Sequence, residues 1–471
     1  MAKKETKTKK RIGEVANQTT VTDRNISEFF NNEYFDYVLY ALENRALPSI
    51  VDGLKVGARK ILHAAFNGGC KNGKEIKNLN LVGDVYNLTL YSHGDASLHS
   101  TIFTLSQDFK DNLNPLQING QYGSLRDTTS ISAPRYLHVK LSKFAFLYQT
   151  DKDLLNYVYD EGTYLEPINY FPIIPTVLTS RTTGMAPGYS FLSFSYNPLH
   201  IIDACIDVLM TGESQRTIKP WIRGIKSHNI EWDENRDRWI NYGEYEADVK
   251  HDIIYINDLP FDIEFDDYEQ HLNKLQDDKF IKKWEGNSNG DKISYWIYFD
   301  KGRVSKLIEE SRIENLIKKL KLLSVIPKNN LTVLDEKRKI RYFDTPEDLI
   351  KYFVNFRLSI YETRKTYLID TLTNKLIHND YLIKFIDLVI KGKIKVIKRP
   401  KEDVIKDLDA YELPHSVLQL PISRLTNEER EEIIRKSEDI KSEIKYIKST
   451  TTADMYLYDL INLHDKLKTE F

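Results

Sequence analysis

Hydrophobic and polar positions change period from one region of the chain to the next. Residues 27–43, SEFFNNEYFDYVLYALE, carry dense aromatics at helical spacing, and Ser27 stands where a helix would be capped. Pro48 and Gly53 break this helix within NRALPSIVDGL. KVGARKILHAAF predicts a second helix, with Val56, Lys60 and Ala64 spaced by four. In HGDASLHSTIFTLSQDF, Leu98, Ile102, Leu105 and Phe109 share one face of a third. Alternation takes over at LQINGQYGSL and RYLHVKL, which read as strands. Short helices joined by polar turns and followed by strands predict a winged-helix domain over 27–165.

Over 166–340, proline-punctuated stretches such as PINYFPIIPTVL alternate with the strand-like runs DIIYINDLPF and KISYWIYFDK. This predicts a second, α+β domain. Residues 341–471 read as helical. Thr345 is set to cap, Pro346 to take the first helical position and Asp348 the third. Leu349, Phe353, Phe356, Ile360, Thr363 and Tyr367 then follow the spacing of a coiled-coil seam. The helical pattern stops near 392–425, through KGKIKVIKRPK and ELPHSVLQLPISRL. It resumes at TNEEREEII, where Thr426 and Glu429 form a capping box and Ile433, Ile440, Ile444 and Ile447 continue the seam. Two seamed helices around a compact insert predict a long antiparallel coiled coil with a globular knob at its tip. The fold class expected is multidomain α+β.

Composition narrows the setting. A chain of 471 residues is too long for one core. Its 41% hydrophobic and 11% aromatic content indicate a folded protein. No apolar run approaches the roughly 18–20 residues of a membrane span. The basic start MAKKETKTKKR is followed by no apolar signal region, so 1–26 is expected to be a flexible basic arm. Cys70 and Cys205 are too few for a disulfide framework or a zinc site, which fits a cytoplasmic location. Residues 45–143 hold 12 Lys/Arg against 7 Asp/Glu in a chain of net charge −2, so the remainder carries −7. Such segregation is what a phosphate-binding face leaves.

The candidate chemistry begins at ISAPRYLHVKL. Pattern alone makes RYLHVKL a strand, with Tyr136 and His138 on one face and Leu137 and Val139 on the other. The chain holds 29 tyrosines, so one more in a strand carries no weight by itself. A phenol beside a guanidinium is also a nucleophile with an electrostatic helper.

Four segments in order resemble the DNA breakage–reunion subunit of type IIA topoisomerases. They are NRALPSIVDGLKVGARKIL, NLVGDVYNLTLYSHGDASLHSTI, INGQYGSLRDTTSISAPRYLHVKLSKFA and PTVLTSRTTGMAPGYSFLSFSYNPLHIIDACI. Fainter likeness runs through INDLPF, YETRKTYL and LPISRLTNEEREEI. Size and Lys/Asn/Tyr-rich character look most like the medium subunit of the T-even-type phage enzymes. The resemblance implies that Tyr136 attacks a DNA phosphorus to form a transient 5′-phosphotyrosyl link. A phenol ordinarily keeps its proton to about pH 10, and Arg135 would favour the charged transition state. His93 of SHGD matches a family histidine near the scissile phosphate, but Tyr91 stands where many members have another histidine. Arg45, Lys55, Arg59 and Lys60 match DNA-contacting positions, with Arg126 and Lys140 as further phosphate candidates. VGAR departs from the family after Lys55. Met185 occupies the place of an apolar wedge between bases; read without the resemblance, it fills a gap in a buried Gly/Pro turn.

No acidic cluster resembles a Toprim metal site and no segment resembles an ATPase or a DNA-wrapping domain. The resemblance therefore implies a partner large subunit carrying Toprim and ATPase, which binds Mg2+ and hydrolyses ATP. Double-stranded DNA is the expected substrate. A homodimer through the coiled-coil gate, relaxation or decatenation as the outcome, and no membrane complete the expectation. The rival reading is a non-catalytic winged-helix/coiled-coil DNA-binding dimer. Tyrosine recombinases carry their nucleophile near the C-terminus, whereas Tyr136 lies in the first third.

Overall fold

The computed structural model describes residues 25–225, 229–286, 293–309, 313–396 and 399–471. All but two residues of the expected arm, 1–24, lie outside them. Helices Val56–Asn67, Asn78–Thr89 and Asp95–Ser106 turn Ile61, Leu62, Leu81, Val85, Leu98 and Ile102 into one core. The stripe expected from Leu98 to Leu105 is buried, and Phe109 with it. The helix over 26–46 is irregular: α-helical Ile26–Phe29 and Phe35–Ala41 alternate with π-helical Phe30–Tyr34 and Leu42–Ala46. Asn25, not Ser27, caps it, its side chain accepting from the Ser27 amide at 3.1 Å.

Strands Ile76–Lys77, His138–Leu141 and Leu116–Asn119 form an antiparallel sheet with His138–Leu141 in the centre. Val139 meets Ile76 on one side and Ile118 on the other. Tyr122–Ser124 and Asp127–Ile131 make a separate hairpin. The strand expected from Arg135 starts only at His138. Pro134 lacks an amide for the ladder and opens the single 3-10 turn Pro134–Tyr136 instead.

The main core does not divide at 165. Tyr170, Ile174, Leu178, Ile201 and Ile202 belong to it, as do Tyr456, Leu460 and Leu463 of helix Thr452–Leu467. A second core lies between helix Phe265–Asp277 and a four-stranded antiparallel sheet whose Ile254, Ile256, Tyr295 and Ile297 point inward. Phe109, Leu125, Phe194, Phe261 and Ile326 form a third cluster that bridges the two.

Helix Pro346–Ile390 is capped as expected, Thr345 Oγ1 accepting from the Asp348 amide at 3.1 Å. It runs antiparallel to Asn427–Ser449. Lys365 Nζ reaches the Thr450 carbonyl at 2.6 Å, Asn379 Nδ2 reaches Ser437 Oγ at 3.1 Å, and Arg430 Nε reaches Asp387 Oδ1 at 2.6 Å. The buried stripe differs from the expected seam. It keeps Leu349 and Phe353 of that seam and adds Ile350, Val354, Arg357 and Tyr361, while Thr363 and Tyr367 are exposed. Arg357, wholly buried, pairs with Asp151. Phe385, Leu388, Ile394, Leu408, Leu413 and Val417 make a small separate core at the far end. Among the described residues no helix is long and apolar enough to cross a membrane.

Candidate functional site

Tyr136 ends the Pro134–Tyr136 turn with 65% of its surface exposed. The backbone beneath it is held firmly. Its own amide donates to the Ala133 carbonyl at 2.9 Å, and the next carbonyl, Leu137, accepts from Asn78 at 2.9 Å. Leu137 and Val139 are fully buried. Gly120 (φ 122°) lets the preceding chain pass close by, since a Cβ there would lie 2.7 Å from Leu137 Cδ2. The Arg135 guanidinium sits 4.9 Å from the Tyr136 ring centroid. A cation thus stands beside an exposed phenol.

A groove of about 1040 Å³ is built from the same helices, but Arg135 and Tyr136 are not among its lining residues. Arg45, Lys55, Lys60 and His93 line it, together with Lys110 and Arg181. The structure therefore gathers four of the expected residues with two that sequence reasoning missed. Lys110 and Arg181 are isolated cations in their own segments. They meet where the Arg181 amide donates to the Lys110 carbonyl at 2.6 Å, on segments that fold together. Burial lowers both pKa values, and Arg181 depresses Lys110 further. Asp111 is buried in the same wall. Burial pushes its carboxyl up to about 6, against donation from the Leu113 amide at 3.0 Å and Thr179 Oγ1 at 3.1 Å.

Lys55 precedes helix Val56–Asn67, and its Nζ donates to the Thr183 carbonyl at 2.8 Å. Burial lowers its pKa. The bond ties down the hairpin Thr182–Ala186 with Tyr189–Ser193. Gly184 lets that hairpin approach the Leu42–Ala46 turn, where a Cβ would come within 2.0 Å of the Ala46 carbonyl. Met185 projects from the hairpin with 85% of its surface exposed, so it fills no buried gap.

His93 is held by tyrosines. Tyr40 Oη lies 3.2 Å from its Nε2, and Tyr86 Oη donates to its carbonyl at 2.7 Å. The Tyr91 ring meets the imidazole edge-on at 5.4 Å. Tyr91 is therefore part of this aromatic wall.

Besides Lys55, three expected phosphate contacts are engaged by the protein itself. Arg59 is buried and forks onto Asp52, with Nε–Oδ2 at 2.7 Å and Nη2–Oδ1 at 3.0 Å. It shares no open face with Lys55. Lys60 borders the groove, but its Nζ is held by the Thr89 carbonyl at 2.8 Å and by Glu166 at 2.8 Å. Arg126 is buried at the bridge between the two larger cores. It donates to Asp258 Oδ1 at 3.0 Å and to the carbonyls of Leu259, at 2.6 Å, of Ile263, at 3.1 Å, and of Pro260. Lys140 is half-buried on the central strand, opposite Gln117, and outside the groove. Among the described residues, no three His, Cys, Asp or Glu side chains come together to hold a metal ion.

Residues 45–464 match the family model of the DNA gyrase/topoisomerase IV A subunit. DNA topoisomerase 2 of Arabidopsis thaliana is 32% identical over 94% of this chain and 33% of its own length. DNA topoisomerase 2 of Acanthamoeba polyphaga mimivirus is 28% identical over 88% of this chain and 39% of its own. The chain thus spans about a third of these curated relatives. The crystal structure of the Plasmodium falciparum topoisomerase II DNA-binding, cleavage and re-ligation domain superposes with a TM-score of 0.80. It is 28% identical and covers 94% of this chain and 65% of that one. With its four diagnostic segments in order and its fold matched almost end to end, the chain belongs to the family of DNA gyrase/topoisomerase IV A subunits, the type IIA breakage–reunion subunits.

Proposed function

We propose that this chain cleaves and religates double-stranded DNA as the tyrosine-bearing subunit of an ATP-dependent type IIA topoisomerase. The observation that carries the reading is Tyr136: an exposed phenol on a rigid turn, with the Arg135 cation 4.9 Å from its ring. The phenolic oxygen, its proton removed, attacks a backbone phosphorus. The new O–P bond forms as the bond to the deoxyribose 3′-oxygen breaks, and that oxygen leaves as a hydroxyl after taking up a proton. The 5′-phosphate stays on Tyr136. Attack by the same hydroxyl reverses the step without ATP, because the number of P–O bonds is conserved. Arg135 neutralises charge on the non-bridging oxygens.

Arg45, Lys55, Lys110 and Arg181 make the groove a phosphate track, and His93 donates to a phosphate within it. The hairpin after the three helices serves as the wing, and Met185 as the wedge that opens a base step. The sheet around Ile254 acts as a tower. The two long helices act as a coiled-coil arm whose terminal knob closes a homodimer and its exit gate. The described donor set does not fit a metal site, so no step here runs through a metal ion. Mg2+ and ATP belong to a Toprim- and ATPase-bearing partner subunit. The test is Tyr136→Phe, reconstituted with that partner on supercoiled DNA. Relaxation is expected to vanish while DNA binding persists; retained relaxation would refute the reading. Wild-type protein that binds DNA but yields no adduct under any condition would favour the non-catalytic clamp.

A further inference from the structure

Tyr40 lies in helix Phe35–Ala41, one residue before the end of that helix and the start of the π-helical turn Leu42–Ala46. On an α-helix, positions five apart point about 140° away from each other. The π-turn, closed by the Leu47 amide on the Leu42 carbonyl at 3.1 Å, winds more slowly and brings Arg45 back over Tyr40. The Arg45 guanidinium sits 5.3 Å from the Tyr40 ring centroid. The same residue's hydroxyl lies 3.2 Å from His93 Nε2. One side chain thus touches two groove residues that come from segments 48 positions apart in sequence.

The exposed imidazole is contacted by Tyr40 and by Tyr91. Tyr86 fixes its backbone carbonyl, and the Tyr91 ring closes one side at 85° to it. Tyr86 and Tyr91 support each other edge-to-face at 5.7 Å. His93 Nδ1 has no bonded partner among the described residues. A neutral imidazole carries one N–H, and the hydrogen bond at one nitrogen decides which nitrogen that is.

We propose that Tyr40 is a positioning residue of the groove. Its hydroxyl donates to His93 Nε2 and holds the neutral ring as the Nδ1–H tautomer, while its ring carries Arg45. The Nδ1–H group is then the donor available to a phosphate, and Arg45 is braced against the same strut. Neither nearby tyrosine can replace it, since Tyr86 engages the carbonyl and Tyr91 only the ring edge. This rests on the reading of the groove as the DNA site, and the experiment separates the two.

The test uses the full chain, 15N-labelled at histidine, with His93→Gln to assign the His93 signals. Tyr40→Phe keeps the ring under Arg45 and removes only the hydroxyl; Tyr40→Leu removes both. Wild-type protein is expected to show His93 as one tautomer protonated at Nδ1. Tyr40→Phe is expected to give a mixture of tautomers. With Mg2+ and the partner subunit, it is expected to lose roughly tenfold in covalent adduct formation at unchanged DNA affinity. Tyr40→Leu is expected to weaken DNA binding as well. A His93 tautomer unchanged in Tyr40→Phe, or an Nε2–H tautomer in the wild type, overturns the proposal. If Tyr40→Phe shifts the tautomer while His93→Ala still forms adduct at the wild-type rate, the positioning stands and the assigned role of His93 falls.

Discussion

Arg126 separates two accounts of one cation. By position in the chain it is a phosphate contact; by structure it is a clasp between the hairpin and the second core. Arg126→Met removes the guanidinium and keeps most of the apolar stem. Asp258, whose side chain is 2% exposed, then loses its cationic partner. The carbonyls of Leu259, Pro260 and Ile263 lose their donor at the same time. Removing one partner of a buried ion pair costs about 3–5 kcal/mol. For a domain of 150–250 residues each kcal/mol moves the midpoint by about 2–4 °C, so a shift on the order of 10 °C is expected. Scanning calorimetry reads this directly. A second assay follows DNA affinity against salt at a temperature well below the transition. A lost phosphate contact lowers the slope of log K against log salt by about 0.9. The clasp predicts a large thermal shift and an unchanged slope. Arg126→Met with Asp258→Leu should recover part of the loss, because both halves of the buried pair are then replaced by apolar groups. A slope reduced by about one at unchanged stability would refute the clasp.

Asp111 predicts a pH effect of definite sign. Its carboxyl titrates near 6 when folded, against 3.8 as the ordinary value, so its stabilising effect is complete below pH 3.8 and is lost as pH rises through 6. Ionising it costs roughly 3 kcal/mol at pH 8. Asp111→Asn should therefore gain stability over the wild type above pH 6.5 and not at pH 4; urea unfolding at the two pH values checks this, and an equal difference at both contradicts it. Met185→Ser should leave stability within about 0.5 kcal/mol, because the side chain is exposed. It should still reduce DNA bending, read by energy transfer between dyes at the duplex ends; undiminished bending would remove the wedge role.

Where local rules decide structure, the sequence was readable. The face of Leu98, Ile102 and Leu105 is buried as its period requires, and Thr345 and Thr426 cap the helices they precede. Where structure depends on a distant partner, it was not. Arg59, Lys60 and Arg126 look alike in sequence as surface cations. Their carboxylates lie 7, 106 and 132 positions away, and nothing local marks the pairing. Arg357 was passed over for the opposite reason: an apolar seam has no place for a charge until Asp151 is brought beneath it. Helix Asn78–Thr89 has no clear apolar stripe in sequence because Asn78, Asn80, Gly83 and Asn87 dilute it. The π-turn that lifts Arg45 over Tyr40 leaves no periodic signature. For Tyr136, the alternation of RYLHVKL held only from His138 onward, since Pro134 imposes a turn. That turn leaves the phenol exposed where a strand would have half-buried it.

Tyr136 is the residue expected to form the covalent link. The direct measurement is to trap the protein–DNA adduct in the presence of Mg2+ and the partner subunit, digest both polymers, and sequence the nucleotide-bearing peptide by mass spectrometry. The modification is expected on Tyr136, joined to a 5′-phosphate. A nucleotide on any other of the 29 tyrosines, or a 3′-phosphate linkage, would contradict the account.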